Sequence, residues 1–108
     1  MRIEPTARFK REFKRLTRKY PSLKGEVSEV VKNLHETPEL GVSIGNDCFK
    51  IRLAIASKGT GKRGGARIVT YVRVINERID LLSIYDKSEQ SDISDKDLLK
   101  IINDIEEI

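Results

Sequence analysis

From Phe9 to Leu34 the apolar residues of this chain recur every three or four positions, and from Phe49 onward they recur every two. That change of period constrains the fold more than any other feature: helices come first, strands follow, and the class is α+β. Thr6 stands where a helix cap belongs. Phe9, Phe13, Leu16 and Tyr20 then follow at spacings of four, three and four, one helical stripe. Pro21 breaks that helix and Ser22 is placed to cap the next. Leu23, Val27, Val30, Val31 and Leu34 continue as a second amphipathic helix that ends before Pro38, so the two are predicted to form an antiparallel hairpin. Residues 1–4 read as a short first strand.

The alternating part begins with "CFKIRLAI". Phe49, Ile51, Leu53 and Ile55 point one way, and Lys50, Arg52 and Ala54 the other, so this strand has one buried face. In "ARIVTYVRVIN", Ile68, Thr70, Val72 and Val74 share one face, and Arg67, Val69, Tyr71 and Arg73 the other. After an "NER" turn, "IDLLSIYD" is a third strand, with Leu82 and Ile84 opposite Leu81, Ser83 and Tyr85. Short connections between consecutive strands predict an antiparallel meander. Ser94 caps a last helix, with Asp97 as the capping-box acid and Ile93 and Leu98 as the staple around it. Its stripe is Leu98, Ile101, Ile102 and Ile105. The expected architecture is two N-terminal helices packed on one face of an antiparallel meander, plus a C-terminal helix. The other face is left open, with Lys50, Arg52, Arg67 and Arg73 on it, beside Tyr71 and Tyr85.

At 108 residues the chain makes one domain, 1–108, with no repeat or linker. No apolar run approaches the ~18 residues of a membrane span, and "MRIEPTARFKREF" lacks the apolar centre of a signal peptide. A cytoplasmic protein is expected. The single cysteine, Cys48, opens an apolar run and reads as a packing residue rather than a nucleophile. His35, the one histidine, reads as an exposed helix-end residue. With no second histidine and no cysteine pair, no metal site is predicted, and no cofactor.

The net charge of +4 hides an asymmetry. Residues 48–76 carry seven cations and no carboxylate, whereas residues 89–108 carry seven acids against two lysines. A basic middle predicts an anionic partner, and the acidic tail a separate solvated end. The first helix adds Lys10, Arg11, Lys14, Arg15, Arg18 and Lys19, a face suited either to solvent or to a large polyanion.

Gly59, Gly61 and Gly64 satisfy G-x-G-x-x-G, but a strand follows where a dinucleotide fold needs a helix. A kinase does not fit in this length. A Walker loop fails at Ala56 and Arg63. The physical content survives the failed motifs: glycines let backbone approach a ligand, and Lys58, Lys62 and Arg63 add charge. The loop is therefore expected to contact phosphate, the alternative being a flexible, lysine-rich hairpin.

Lys50 with Arg52, and Arg67 with Arg73, gather like charges on one face. At ~4 Å and an effective dielectric of ~20, one such pair costs about 4 kcal/mol, which a bound polyanion would offset. Tyr71 and Tyr85 offer rings for unpaired bases. RNA can be cut there without metal. Its 2′-OH attacks the adjacent phosphate once a base takes the proton and cations meet the added charge. Arginines suit the second task only. The base must be a lysine whose pKa neighbouring cations lower, with Lys50 foremost, or a tyrosine or carboxylate. Lys87 suits leaving-group or phosphate work. Asp86 is either a base, a strand-end cap, or the partner of a cation.

"FKREFKRLTRKYPSLKGEV", "CFKIRLAI", "GKRGGARIVTYV" and "LLSIYDKSEQSDIS" resemble successive elements of the RelE-type toxins of bacterial toxin–antitoxin modules, in the RelE/ParE superfamily, and most of all its HigB-like members. The resemblance covers almost the whole chain. It implies a ribosome-dependent mRNA endonuclease that enters the A site beside ribosomal RNA and cuts the codon there. It implies catalytic roles for Lys50, Arg52, Arg67 and Lys87. Lys58, Lys62, Arg63, Arg73 and Tyr71 are the further RNA contacts expected. Some members place a catalytic tyrosine near the C-terminus. Here Ile93 stands near that place, so Tyr85 or a lysine must take the role. An antitoxin partner is also implied, acidic or folding on binding. Two rival readings remain: a ParE-like gyrase inhibitor of the same fold, and a non-catalytic RNA-binding module.

Overall fold

A computed structural model of the chain describes residues 1–106. Glu107 and Ile108, the end of the acidic run and of the expected domain, lie outside the described residues. The elements are β1 (Arg2–Pro5), α1 (Ala7–Lys19), α2 (Leu23–Glu36), β2 (Val42–Gly45), β3 (Cys48–Leu53), a 3-10 turn (Ala56–Lys58), β4 (Ala66–Arg73), β5 (Arg78–Asp86) and α3 (Asp95–Glu106).

The strands form one sheet in the order β1-β5-β4-β3-β2. The meander β3–β4–β5 is antiparallel, as its short connections predict. The sheet as a whole is mixed rather than antiparallel, because β1 pairs with β5 in parallel, from Arg2 against Arg78 to Pro5 against Leu81. β2, absent from the sequence reading, adds a short, largely exposed edge to β3.

Thr6 caps α1 as expected. Its hydroxyl oxygen accepts from the Phe9 amide at 3.1 Å and donates to the Leu81 carbonyl at 2.9 Å, fastening the helix start to β5. Phe9 and Leu16 are buried, and half-buried Phe13 stacks on Phe9 with centroids 5.9 Å apart. Leu23, Val27, Val30 and Leu34 bury the inner face of α2. These stripes meet Ile51, Ile55, Ile68, Val72, Ile79, Leu81 and Ile84 from the sheet in the main core. Val74, expected on that inward face, lies beyond the end of β4 and is exposed. Ser22 does not cap α2. Its backbone is helical, and its hydroxyl bonds Glu26 at 3.0 Å and Ser57 at 2.8 Å. Glu26 also accepts from the Ala56 amide at 2.8 Å, so these polar groups tie the 3-10 turn to the helical hairpin.

The second sheet face is not open along its length. Cys48, Val69, Tyr71, Leu82 and Tyr85 pack against Ile93 and against Leu98, Ile101 and Ile102 of α3. Apolar side chains on both surfaces drive that contact, since burying them is favourable by roughly 25 cal/mol per Å². The expected alternation of β5 also fails at one point. Val69 pairs with Ser83 and Thr70 with Leu81, which leaves Leu82 as a bulge. Ile79, Leu81 and Ile84 therefore join the main core, while Leu82 and Tyr85 join the second. Leu82 does not share a face with Ile84, nor Leu81 with Tyr85.

Nor is the acidic segment after β5 a separate solvated end. Glu89 bonds Arg15 at 2.9 Å and Lys19 at 3.4 Å on α1, and Asp92 bonds Lys50 at 3.0 Å on β3.

Candidate active site

Three adjacent strands bring Arg52, Arg67 and Tyr85 into one cross-strand row, because Arg52 pairs with Arg67 and Arg67 with Tyr85. Side chains directly opposite one another on a sheet share a face, with Cβ atoms ~5 Å apart. Lys50 lies two residues from Arg52 on β3 and so shares that face.

Each member of the row is held differently. Arg52 is exposed and has no side-chain hydrogen bond or ion pair among the described residues. Arg67 is only 4% exposed. Its guanidinium donates to the carbonyls of Lys62 at 2.8 Å and Ala66 at 3.0 Å and meets no carboxylate among the described residues. Its positive charge is thus unneutralised while its geometry is locked. Lys50 Nζ and the Tyr85 hydroxyl both reach Asp92 Oδ1, at 3.0 and 3.3 Å. Tyr85 is 2% exposed, so its ring is not a stacking platform in this arrangement. Burial, with Asp92 adding, pushes its phenol up to about 12.

Asp92 and Glu89 are the residues that sequence reasoning missed. Both sit in a polar exit segment with no periodicity, and their partners lie 42 and 74 positions away. The hydrogen bond from Lys50 holds the Asp92 carboxyl below its usual range, helped by the Ile93 amide.

The remaining expected residues divide. Lys62 and Arg63 are exposed at the loop tip, next to the row, with no ion pair among the described residues. Lys58 instead turns inward, donating to Asp86 at 2.6 Å and Ser88 at 2.7 Å, over the Tyr20 ring. Asp86 is fully buried and also accepts from the Tyr20 hydroxyl at 2.5 Å. Burial by itself would raise its pKa, but the hydrogen bonds from Lys58, Tyr20 and Ser88 together hold it far below the carboxylate range. Of the roles considered for Asp86, two are observed together: it pairs with the Lys58 cation, and it caps the strand end by accepting from the Ser88 amide at 2.9 Å. Lys87 donates to the Ser91 carbonyl at 2.6 Å, within the exit turn. Arg73 and Tyr71 are not in the row. Arg73 lies six positions along β4 from Arg67, about 20 Å away. Arg73 pairs with buried Asp80 and stacks over Tyr71, whose ring is 9% exposed beneath the second core. Tyr71 is therefore not the open base platform expected of it.

The glycine loop turns through left-handed backbone and closes against β3. Gly59 and Gly61 adopt φ of +76° and +65°, which only glycine does without strain. Gly65 lies so close to β3 that a Cβ would sit 2.0 Å from the Leu53 carbonyl oxygen. Cys48 is fully buried, and burial pushes its thiol up to about 12, in keeping with a packing role. His35 is exposed.

Residues 1–105 match the family model described as the RelE toxin of the RelE/RelB toxin–antitoxin system. The chain belongs to the RelE toxin family. A solved structure of E. coli toxin RelE in the free state, with two arginines changed to alanine, superposes with a TM-score of 0.64 at 15% identity, covering 96% of each chain. At that identity the match establishes a shared RelE fold. Family membership gives this toxin an antitoxin as its protein partner. Among the described residues no helix is long and apolar enough to cross a membrane.

Proposed function

We propose that this RelE-family toxin is a ribosome-dependent mRNA endonuclease, acting in the cytoplasm on the codon in the A site by metal-free attack of a 2′-OH on its adjacent phosphate. The observation that carries the reading is the row Arg52–Arg67–Tyr85 with Lys50 beside it: four donor side chains on one face, three of them permanently or ordinarily cationic.

The roles follow from what each group can do. Arg52 is free to fork onto two phosphate oxygens. Arg67, buried and unneutralised, supplies fixed positive potential where charge develops, and a preorganised donor acts strongly in a site shielded from water. Tyr85, held protonated, donates to the departing 5′-oxygen. Neither guanidinium accepts a proton, and the Asp92 carboxylate, held below its usual range, is a weak base. Lys50 is thereby assigned the 2′ proton, which its amine takes only after leaving Asp92 and giving up its own proton to solvent. The 2′-oxygen bonds to phosphorus, the 5′-oxygen leaves with a proton, and a cyclic phosphate and a 5′-hydroxyl result. Lys62 and Arg63 at the exposed loop tip extend the cationic surface towards ribosomal RNA. The antitoxin acts by covering or distorting this face.

Purified toxin added to translating ribosomes is expected to yield primer-extension stops inside the A-site codon. Intact message together with loss of gyrase supercoiling activity would transfer the protein to the gyrase-inhibiting reading. Intact message with retained RNA binding would leave a binding module.

A further inference from the structure

Three donors converge on one oxygen of the exit segment. Lys50 Nζ, the Tyr85 hydroxyl and the Ile93 amide meet Asp92 Oδ1 at 3.0, 3.3 and 2.8 Å. We infer that the Asp92 carboxylate is an internal stand-in for a phosphate: its Oδ1 marks a subsite for a phosphodiester oxygen of bound RNA, and RNA enters by turning this side chain out to solvent. The inference rests on the RNA-binding reading of the row given above.

The fold separates what is fixed from what can leave. The backbone of the segment is anchored at several points. Glu89 is held by Arg15 and Lys19, Lys87 donates to the Ser91 carbonyl, and the Gln90 side-chain Nε2 donates to the Asp92 carbonyl at 2.9 Å. Ile93 is 7% exposed in the second core, so its amide stays in place when its neighbour moves. The Asp92 side chain is 61% exposed. Rotation about its χ1 therefore needs no unpacking and delivers the carboxylate to water. What remains is an ammonium, a phenol and an amide aimed at one point, with Arg52 exposed beside them. A set made of donors alone suits an oxyanion without a proton. A neighbouring guanidinium fork then favours an anion with a second oxygen to offer, as a phosphodiester has. An exposed ion pair is weak, so the stand-in blocks the site against chance anions without locking it.

The test is binding of a fluorescent 2′-O-methyl RNA pentamer, which the 2′-OH chemistry cannot cut, measured by anisotropy at fixed salt. Asp92→Asn keeps an oxygen for the Ile93 amide but removes the charge that pairs with Lys50, and is expected to bind about fivefold tighter than the parent, the scale of an exposed ion pair. Glu89→Gln removes the same charge from the same segment away from the subsite, and should change affinity less than about twofold. In Lys50→Ala/Asp92→Asn the gain should vanish. If Lys50→Ala weakens binding but Asp92→Asn does not strengthen it, the RNA site stands and the stand-in is wrong. If Glu89→Gln tightens binding as much as Asp92→Asn, the effect is bulk charge and the inference is overturned. Equal affinity of parent and Lys50→Ala would remove the RNA site itself, and the inference with it.

Discussion

The Arg67 guanidinium donates to the Lys62 carbonyl across 2.8 Å, so the cation at the centre of the site also holds the glycine loop in shape. Position and charge are therefore coupled in this side chain, and uncoupled in its cross-strand neighbour Arg52, which is exposed and touches nothing comparable. The two arginines are expected to fail differently. Arg67→Ala should abolish cleavage and also destabilise the fold by roughly 1–3 kcal/mol, because the carbonyls of Lys62 and Ala66 each lose a charged donor. Arg52→Ala should reduce cleavage about 100-fold with stability within ~0.5 kcal/mol of the parent. Urea melts beside ribosome cleavage assays distinguish them; equal stability of both variants would mean that Arg67 does not hold the loop.

The buried Asp86–Lys58 pair predicts the acid limb of stability. The Asp86 pKa is depressed in the folded state, so its contribution is complete above the unfolded value of ~3.9 and is lost as pH falls through the folded one. Stability should decline from about pH 4 downward. Asp86→Asn leaves Lys58 largely buried without its counter-charge, at a cost of about 3–5 kcal/mol at neutral pH, and should flatten that decline. Melting the two proteins between pH 2 and 7 checks both; parallel pH profiles would rule out Asp86 as the source.

Gly65→Ala should cost about 2 kcal/mol or more, since its Cβ would collide with the Leu53 carbonyl and force β3 and β4 apart. Gly59→Ala, with open space around it, should cost only the ~1–2 kcal/mol of a left-handed backbone. Thermal melts give the order, and a milder effect at Gly65 would contradict the close approach.

Cys48 should resist a thiol reagent at pH 8 until the protein unfolds, because it is fully buried and its thiol is pushed up to about 12. Labelling in the native state at the rate of a free thiol would show that the second core opens readily.

The first stripe of α1 shows how burial depth refines a periodicity argument. Leu16 is completely buried and Phe13 only half so. Leu16→Ala is expected to cost about 2–5 kcal/mol, with Phe13→Ala below the usual aromatic range of about 3–5 kcal/mol because part of its ring already meets water. Urea titration of the pair measures the difference.

The periods of the sequence determined α1, α2 and the three meander strands, together with the Thr6 cap and the shared face of Lys50 and Arg52. Those features depend on residues a few positions apart, and backbone geometry of period 3.6 or 2 translates spacing directly into facing. Tertiary structure alone decided the rest. The bulge at Leu82 turned Leu81 into the main core and Leu82 into the second, and no spacing rule signals an extra residue. α3 closed half of a face that looked open, because its stripe and the Val69–Tyr71–Leu82 surface recognise each other only when folded together. The charges found partners by distance in space: Lys50 with Asp92, Lys58 with Asp86 and Arg73 with Asp80. A count of cations along the chain gives the sign of the site, but folding chooses which of them it leaves unpaired.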